Sequence, residues 1–115
     1  MPVRLRPADA ATVAAALTSD QGPAEQKLLT KHFLAVLAER APGRSVEVRV
    51  PPYAAAQVVE GVRHTRGTPP AVVELDADTW IALATGELTW SEAEATGRVR
   101  ASGERADLSP HLPLG

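Results

Sequence analysis

The sequence lacks several features, and each absence removes a class of function. It contains no cysteine, which excludes disulfides and thiolate chemistry and agrees with a reducing compartment. Its 12 basic and 14 acidic residues nearly cancel, so the charge gives no reason to expect binding to nucleic acid or acidic membranes. No apolar run approaches the roughly 20 residues that span a bilayer, and the N-terminal MPVRLRPADA has no apolar signal core. We therefore expect a soluble, cytoplasmic protein without nucleic-acid partners or stable membrane insertion.

Motifs for catalysis and cofactor binding are missing as well. No HExxH, GxSxG, GxGxxG or Walker spacing occurs in the chain. The three histidines, His32, His64 and His111, lie far apart and share no metal-ligand spacing. Asp76 and Asp78 are two residues apart on an extended segment, which favours helix capping over a shared proton. We therefore predict no catalytic residue, no metal and no cofactor.

Aromatic side chains are scarce, and the apolar content is mostly alanine, valine and leucine. The chain has two tryptophans, one tyrosine and one phenylalanine among 115 residues. A chain of this length buries roughly two-thirds of its unfolded surface, which is enough for one real core. We predict a single domain over residues 1–115, with an N-terminal helical extension over 1–21 and the core over 22–115.

The N-terminal part of the chain predicts two helices. Pro7–Ser19 is rich in alanine, the residue with the best helix propensity. From Ala24 to Arg40 an apolar stripe recurs at helical spacing, and it consists of Leu29, Phe33, Val36 and Leu37.

Three strands are predicted next. Ser45–Val50 alternates, with Val46, Val48 and Val50 on one face, as in a half-buried antiparallel strand. Tyr53–Val59 is ambiguous by itself, because its alanines favour helix and its valines favour strand. Ala71–Leu75 is the third strand, and residues 106–112 predict a helical turn.

Residues 68–103 organise the rest of the chain, since they predict strand, helix, turn, helix and strand with a stop signal at each joint. Either Asp76 or Asp78 can cap the first helix, because a carboxylate satisfies free N–H groups and suits the positive end of the dipole. Gly86 and Gly97 fit the left-handed position that ends a helix.

The second helix of this stretch begins with capping-box spacing, at Thr89 and Glu92. The alternating segment Val99–Ser102 predicts the last strand. Trp80 and Trp90 lie on the two short helices, where they either line a pocket or fill the core, and the two roles are compatible.

These residues carry a resemblance to a known family. A Trp-x-x-Leu-x-x-Gly-x-Leu segment, then an Ala and a Gly-x-Val-x-x-x-Gly, resembles the C-terminal half of the sterol carrier protein 2 superfamily. In this chain the segment comprises Trp80, Leu83, Gly86, Leu88, Ala93, Gly97, Val99 and Gly103. The flanking HTRGTPPAVVELD and ADLSPHLPL are similar to its small actinobacterial, sterol-carrier-like branch, and the resemblance covers roughly residues 45–115.

The resemblance favours a strand over Tyr53–Val59 and implies an α+β fold with an apolar cavity between the layers. The implied sheet has about five mostly antiparallel strands, covered by helices on one face. The implied function is non-enzymatic binding of a lipid or another apolar small molecule. The candidate cavity residues are Val48, Val50, Val73, Trp80, Leu83, Leu88, Trp90 and Val99.

A basic connection, RHTRG, supplies the polar candidates for a ligand head group. Arg63, His64 and Arg66 could bind an anion, or the connection could be a solvated loop. Two alternatives to the carrier therefore stay open. One is a member of the same fold with a filled cavity that binds protein partners or regulates them. The other is a small accessory subunit that binds an anionic substrate through residues 63–67. The sequence defines neither the ligand nor the oligomeric state.

Overall fold

The computed structural model describes residues 5–61, 71–103 and 106–115. It contains four α-helices, four β-strands and one short 3₁₀-helix within these ranges. In chain order the elements are α1 (Ala10–Thr18), α2 (Pro23–Arg40), β1 (Val46–Val50), β2 (Ala54–Val58), β3 (Ala71–Leu75), α3 (Ala77–Thr85), α4 (Trp90–Ala95), β4 (Val99–Ser102) and the 3₁₀-helix Ser109–His111. Each of the helices and strands predicted from the sequence is present, including the ambiguous strand β2.

The sheet is mixed, and its strand order is β2-β1-β3-β4. The β1–β2 and β3–β4 pairs are antiparallel, while β1 and β3 are parallel, with Val48 opposite Val73. The expected α+β class is confirmed. The expected five strands and mostly antiparallel pairing match only roughly, since the described ranges contain four strands and the central pair is parallel. Alternation in a sequence shows which face of a strand is buried, but not which strand lies beside it.

The two faces of the sheet differ in burial, as the alternating sequence predicts. Val46, Val48 and Val50 have no exposed surface, and neither has Val73 beside them. The opposite face carries exposed or half-buried side chains, and an ion pair joins Arg49 Nε to Glu47 Oε2 at 2.6 Å. The helices therefore cover one face, and the hydrophobic core lies between them and the sheet.

Helix α2 packs against α1, α3 and β2. Its predicted stripe is mostly confirmed, because Leu29, Phe33 and Leu37 are buried. Val36 is only half-buried, whereas Thr30 and Leu34 are fully buried. The buried face is therefore wider than the stripe and rotated toward positions 30 and 34.

The joints around α3 and α4 have the predicted chemistry. Asp76, rather than Asp78, is the N-cap of α3, and its Oδ1 accepts the Thr79 N–H at 2.8 Å. Thr89 and Glu92 form the predicted capping box at α4. The predicted left-handed conformation of the two glycines is confirmed, since Gly86 and Gly97 have φ of 86° and 72°.

The loops that follow α2 and β2 cross closely. Val59 has a φ of 64°, an unusual conformation for a β-branched residue. Hydrogen bonds fix it from both sides, because its N–H donates to the Ala41 carbonyl at 2.6 Å and its carbonyl accepts the Ser45 N–H at 3.0 Å. A side chain on Gly43 would overlap the Val59 carbonyl, so only glycine fits there.

The C-terminal segment closes one side of the core. Leu108 has no exposed surface and Leu114 has 2%. The Leu114 N–H donates to the Ala84 carbonyl at 2.8 Å, which satisfies an acceptor in the last turn of α3. The predicted turn over 106–112 is the short 3₁₀-helix. No helix in the described ranges has the length and apolar character needed to cross a membrane.

Candidate functional site

Most of the predicted cavity residues lie inside the hydrophobic core. Val48, Val50 and Val73 belong to the buried face of the sheet, and Trp80 and Leu83 to the buried face of α3. Their exposed fractions are 0–1%, so these side chains touch no void large enough for a water molecule. The structure brings the five residues together as packed side chains.

The other three apolar candidates lie at the edge of this core. Trp90 is 5% exposed, and its indole Nε1 has no hydrogen-bond partner within the described residues. Leu88 and Val99 are half-buried and pack against the core. The polar candidates Arg63, His64 and Arg66 lie outside the described residues, so their role stays a prediction.

Trp80 of α3 forms a buried hydrogen bond to α2. Its ring has no exposed surface, and its Nε1 donates to the Thr30 carbonyl of α2 at 3.3 Å. The Thr30 hydroxyl is buried without a partner in the part of the chain that the structure describes. Trp80 therefore fills the core, which is one of the two roles expected from the sequence.

A cavity of about 550 Å³ lies on the other side of α3, and we call it the helical groove. Its walls are the end of α1, the outer face of α3, the turn that follows α3, and one residue before β4. The lining residues are Leu17, Gln21, Asp78, Ile81, Ala82, Thr85, Glu87, Leu88 and Arg98. Four of them are apolar, and this volume falls within the range of roughly 300–1,000 Å³ that is usual for small-molecule sites.

Helix α3 is amphipathic, and this property separates the groove from the core. Trp80, Leu83 and Ala84 face the core, whereas Asp78, Ala82 and Thr85 line the groove. Ile81 lies between the two faces, at 5% exposed, and contributes to both. A ligand in the groove would therefore contact the wall of the core without entering it.

Hydrogen bonds hold the end of the groove near the start of α3. Gln26 Nε2 of α2 donates to Asp78 Oδ1 at 2.6 Å. The Gln26 Oε1 atom in turn accepts the Tyr53 hydroxyl at 3.3 Å. These contacts connect α2, α3 and the turn before β2, and they direct one Asp78 oxygen toward α2.

Arg98 is the cationic residue of the groove. Its Nε donates to the Thr79 hydroxyl at 3.0 Å, and Thr79 has no exposed surface. Burial acts to raise the pKa of the nearby Asp76 carboxyl, but hydrogen bonds from Thr79 and the charge of Arg98 outweigh it, so the pKa lies below its usual value. The start of α3 and Arg98 are thus mutually oriented.

The Asp76 cap predicts a specific pH dependence of stability. Because the folded-state pKa lies below the ordinary value of 3.8, the stabilisation is fully present above that pH and is lost as pH falls through the folded pKa. Asp76→Ala should lower the free energy of unfolding at neutral pH by about 1 kcal/mol. Asp76→Asn, which retains the cap but not the charge, should lose less stability on acidification than the wild type. Urea unfolding at several pH values checks this, and parallel pH profiles for both proteins would contradict it.

The sequence alone did not identify most of the groove. It predicted Leu88, but it did not single out Leu17, Gln21, Ile81, Ala82 or Arg98 as site residues. The available signal was the spacing of 78, 82 and 85, which places these positions on one face of a helix. A partly polar helix face is usually a solvated surface, and only the position of α1 shows that this one is concave.

Metal chemistry has no visible site here. Within residues 5–61, 71–103 and 106–115, no three His, Asp or Glu side chains lie close enough together to hold a metal ion. The chain contains no cysteine to supply a thiolate ligand.

Comparison with known proteins identifies the family. No curated protein matches the chain. A protein-family model described as bacterial SCP ortholog matches residues 23–114, a range that contains α2, the whole sheet, α3 and α4. Because this match spans well over half of the sequence, the chain belongs to that bacterial family of sterol carrier protein orthologs, in agreement with the resemblance seen in the sequence.

Proposed function

We propose that the protein is a non-enzymatic, sterol-carrier-like domain that binds an apolar or amphipathic small molecule in the helical groove. The observation that carries this proposal is a cavity of about 550 Å³ whose lining includes four apolar side chains, namely Leu17, Ile81, Ala82 and Leu88. Ligand sites are typically concave and mostly apolar, with a few polar groups that fix orientation. The other five lining residues of this groove are polar or charged, and they would orient the ligand.

The groove is favoured over the space between sheet and helices because of packing. Val48, Val73 and Trp80 have no exposed surface, so a ligand between the layers would have to displace core side chains. Displacing them would cost the packing energy of the core. A ligand in the groove needs no such displacement, and Leu88 is the predicted contact residue that it would touch directly.

Titration with straight-chain alcohols from octanol to dodecanol tests the proposal, with isothermal calorimetry as the measurement. Each methylene that becomes buried should add up to about 0.8 kcal/mol, so affinity should rise with chain length until the groove is full. Ala82→Phe should fill the groove and weaken dodecanol binding by about tenfold or more. Ala55→Phe adds the same volume on the exposed face of β2 and should leave affinity unchanged.

Two results would contradict this proposal. One is no saturable heat with any alcohol. The other is equal affinity for the wild type and Ala82→Phe, which would place the ligand elsewhere.

A second candidate function is a protein-interaction or regulatory module on the same fold. The packing of the described core favours it, because Val48, Val73 and Trp80 leave no exposed surface for a ligand between the layers. Such a module should give no saturable response to the alcohols. The anionic-substrate role of Arg63, His64 and Arg66 stays a prediction, as do the single domain over 1–115 and the cytoplasmic location.

A further inference from the structure

Residues 5–22 form an arm that is attached to the rest of the domain mainly through α2. We call it the N-terminal arm, and it consists of a short leading segment, α1 and the turn that follows α1. Helix α1 has nine residues, of which Val13 and Ala16 are buried, and its main packing partner is α2. A helix of this length is marginal by itself, so its position depends on the few contacts that hold it.

The leading segment of the arm is fastened to α2 by a histidine. The Ala8 N–H donates to His32 Nδ1 at 2.9 Å. The half-buried His32 ring lies edge to face on the ring of Phe33, with the two centroids 4.9 Å apart, and Phe33 belongs to the core. Nδ1 can accept this hydrogen bond only when the imidazole is neutral and carries its proton on Nε2, because both nitrogens of an imidazolium are donors. Protonation would therefore set two N–H groups against each other and break the attachment.

The surroundings of His32 favour the neutral ring. Burial, rather than a neighbouring charge, lowers the pKa of His32 below its ordinary value of 6.5. Helix α1 and strand β2 contain no titratable side chain. The charged residues on the leading segment, on α3 and along the His32 side of α2 are Arg6, Asp9, Glu25, Lys31, Glu39 and Asp78. Within the described residues none of them forms an ion pair with His32.

Helix α2 begins without help from the arm. Pro23 stands at its first position, and the Gly22 N–H donates to Glu25 Oε1 at 3.0 Å. Gln21, which precedes this cap, has a φ of 50°, a conformation that costs energy in a residue with a side chain. The family match also begins at residue 23. The arm can therefore detach while α2 stays capped, and a rotation at Gln21 would relieve its backbone.

The arm also forms one wall of the helical groove. Leu17 of α1 and Gln21 of the following turn line the groove, across from Ile81 and Ala82 of α3. Leu17 is half-buried and packs against the core, so it is the apolar contact that the arm would supply to a ligand. Detachment of the arm would remove this wall and leave the α3 wall in place.

We propose that His32 is a pH-operated latch, which holds the N-terminal arm against α2 while the ring is neutral and releases it, together with one wall of the helical groove, when the ring is protonated. This inference rests on the proposed function for its link to a ligand, and it adds a means of regulation to that function. Because the pKa is lower in the docked state than in the detached one, the latch is fully closed above pH 6.5 and is lost as pH falls through the lower, docked-state pKa.

The cap of α1 does not titrate in the same range. Asp9 is that cap, and backbone and side-chain hydrogen bonds from Thr12 lower the pKa of its carboxyl below the usual value of 3.8. A loss of α1 order in mildly acidic solution would therefore point to the histidine rather than to the cap.

The experiment measures backbone ¹⁵N relaxation at about pH 7.5 and at about pH 5, on either side of the range in which histidine titrates. In the wild type, the order parameters of residues 10–18 should fall from about 0.85 to below about 0.6, while those of α2 stay near the higher value. Imidazole ¹⁵N shifts at the higher pH should show His32 as the Nε2–H tautomer.

Three variants separate the latch from other effects of acid. His32→Gln retains an acceptor that does not titrate, so α1 should stay ordered at both pH values. His32→Leu removes the acceptor without adding charge, so α1 should be mobile at both. His111→Gln is the matched control, because it removes a histidine of the 3₁₀-helix, far from α1 in the chain, and should retain the wild-type response.

Calorimetry with 1-decanol at the same two pH values tests the link to the groove. Wild-type affinity should fall by about fourfold or more at the lower pH, as expected when at least one methylene loses its contact with Leu17. His32→Gln should bind decanol equally at both pH values.

Each outcome decides between the two proposals. Equal order of α1 at both pH values, or a His32→Gln variant that responds to pH like the wild type, would overturn the latch and leave the carrier function standing. Decanol affinity that does not change when α1 is released would overturn the control of the groove. Failure to bind decanol at either pH would overturn the carrier function, while the relaxation data would still decide whether His32 holds the arm.

Discussion

Replacing Val48 with aspartate is expected to abolish cooperative folding at neutral pH. Val48 has no exposed surface and lies in β1, between β2 and β3 at the centre of the sheet. An ionised carboxylate there would have no partner, and burying it costs several kcal/mol, which is comparable with the roughly 5–15 kcal/mol that stabilise a typical domain. Thermal unfolding followed by circular dichroism should show no cooperative transition.

The matched control for this variant is Ala55→Asp. Ala55 is exposed on the opposite face of β2, directly across from Arg49, so a carboxylate there remains solvated beside a cation. Its melting temperature should stay close to that of the wild type. A wild-type melting temperature for Val48→Asp would show that β1 is placed with the wrong face inward.

Trp80→Ala is expected to produce the second-largest loss of stability. The ring is fully buried in the core beside α2, and truncation would remove both its packing and the bond from Nε1 to the Thr30 carbonyl. Large-to-small changes at buried aromatic positions cost about 3–5 kcal/mol. For a domain of this size the melting temperature should fall by more than about 10 °C.

Trp80→Phe provides the control, because it retains most of the apolar contact and loses the indole N–H. It should cost clearly less than Trp80→Ala. Equal losses for the two variants would show that the hydrogen bond to Thr30, rather than packing, sets the contribution of this residue.

The local structure of this fold follows closely from the sequence. The cap at Asp76, the capping box at Thr89 and the left-handed glycines Gly86 and Gly97 all depend on side chains within a few residues of one another. The alternation of Val46, Val48 and Val50 likewise reports directly which side of β1 is buried. Such features are readable because the chemistry that causes them is local.

The features that the sequence did not predict depend on contacts between distant residues. The parallel pairing of β1 with β3 is set by the path of the chain between them, and no periodicity encodes it. The groove has the same origin, since Leu17 and Arg98 are far apart in sequence and meet only where α1 lies beside α3. The contact of Arg98 with the buried Thr79 hydroxyl could not be inferred from either residue alone.

Nuclear magnetic resonance tests ligand binding in the helical groove most directly, because it maps the binding site residue by residue. Amide shifts of the uniformly labelled protein would be followed during titration with 1-decanol, an uncharged ligand with one apolar chain. Binding in the helical groove should give saturable shifts centred on Leu17, Ala82 and Leu88, with smaller changes at Val48 and Val73. Shifts centred on those two valines would place the ligand between sheet and helices, and an absence of saturable shifts would contradict the carrier function itself.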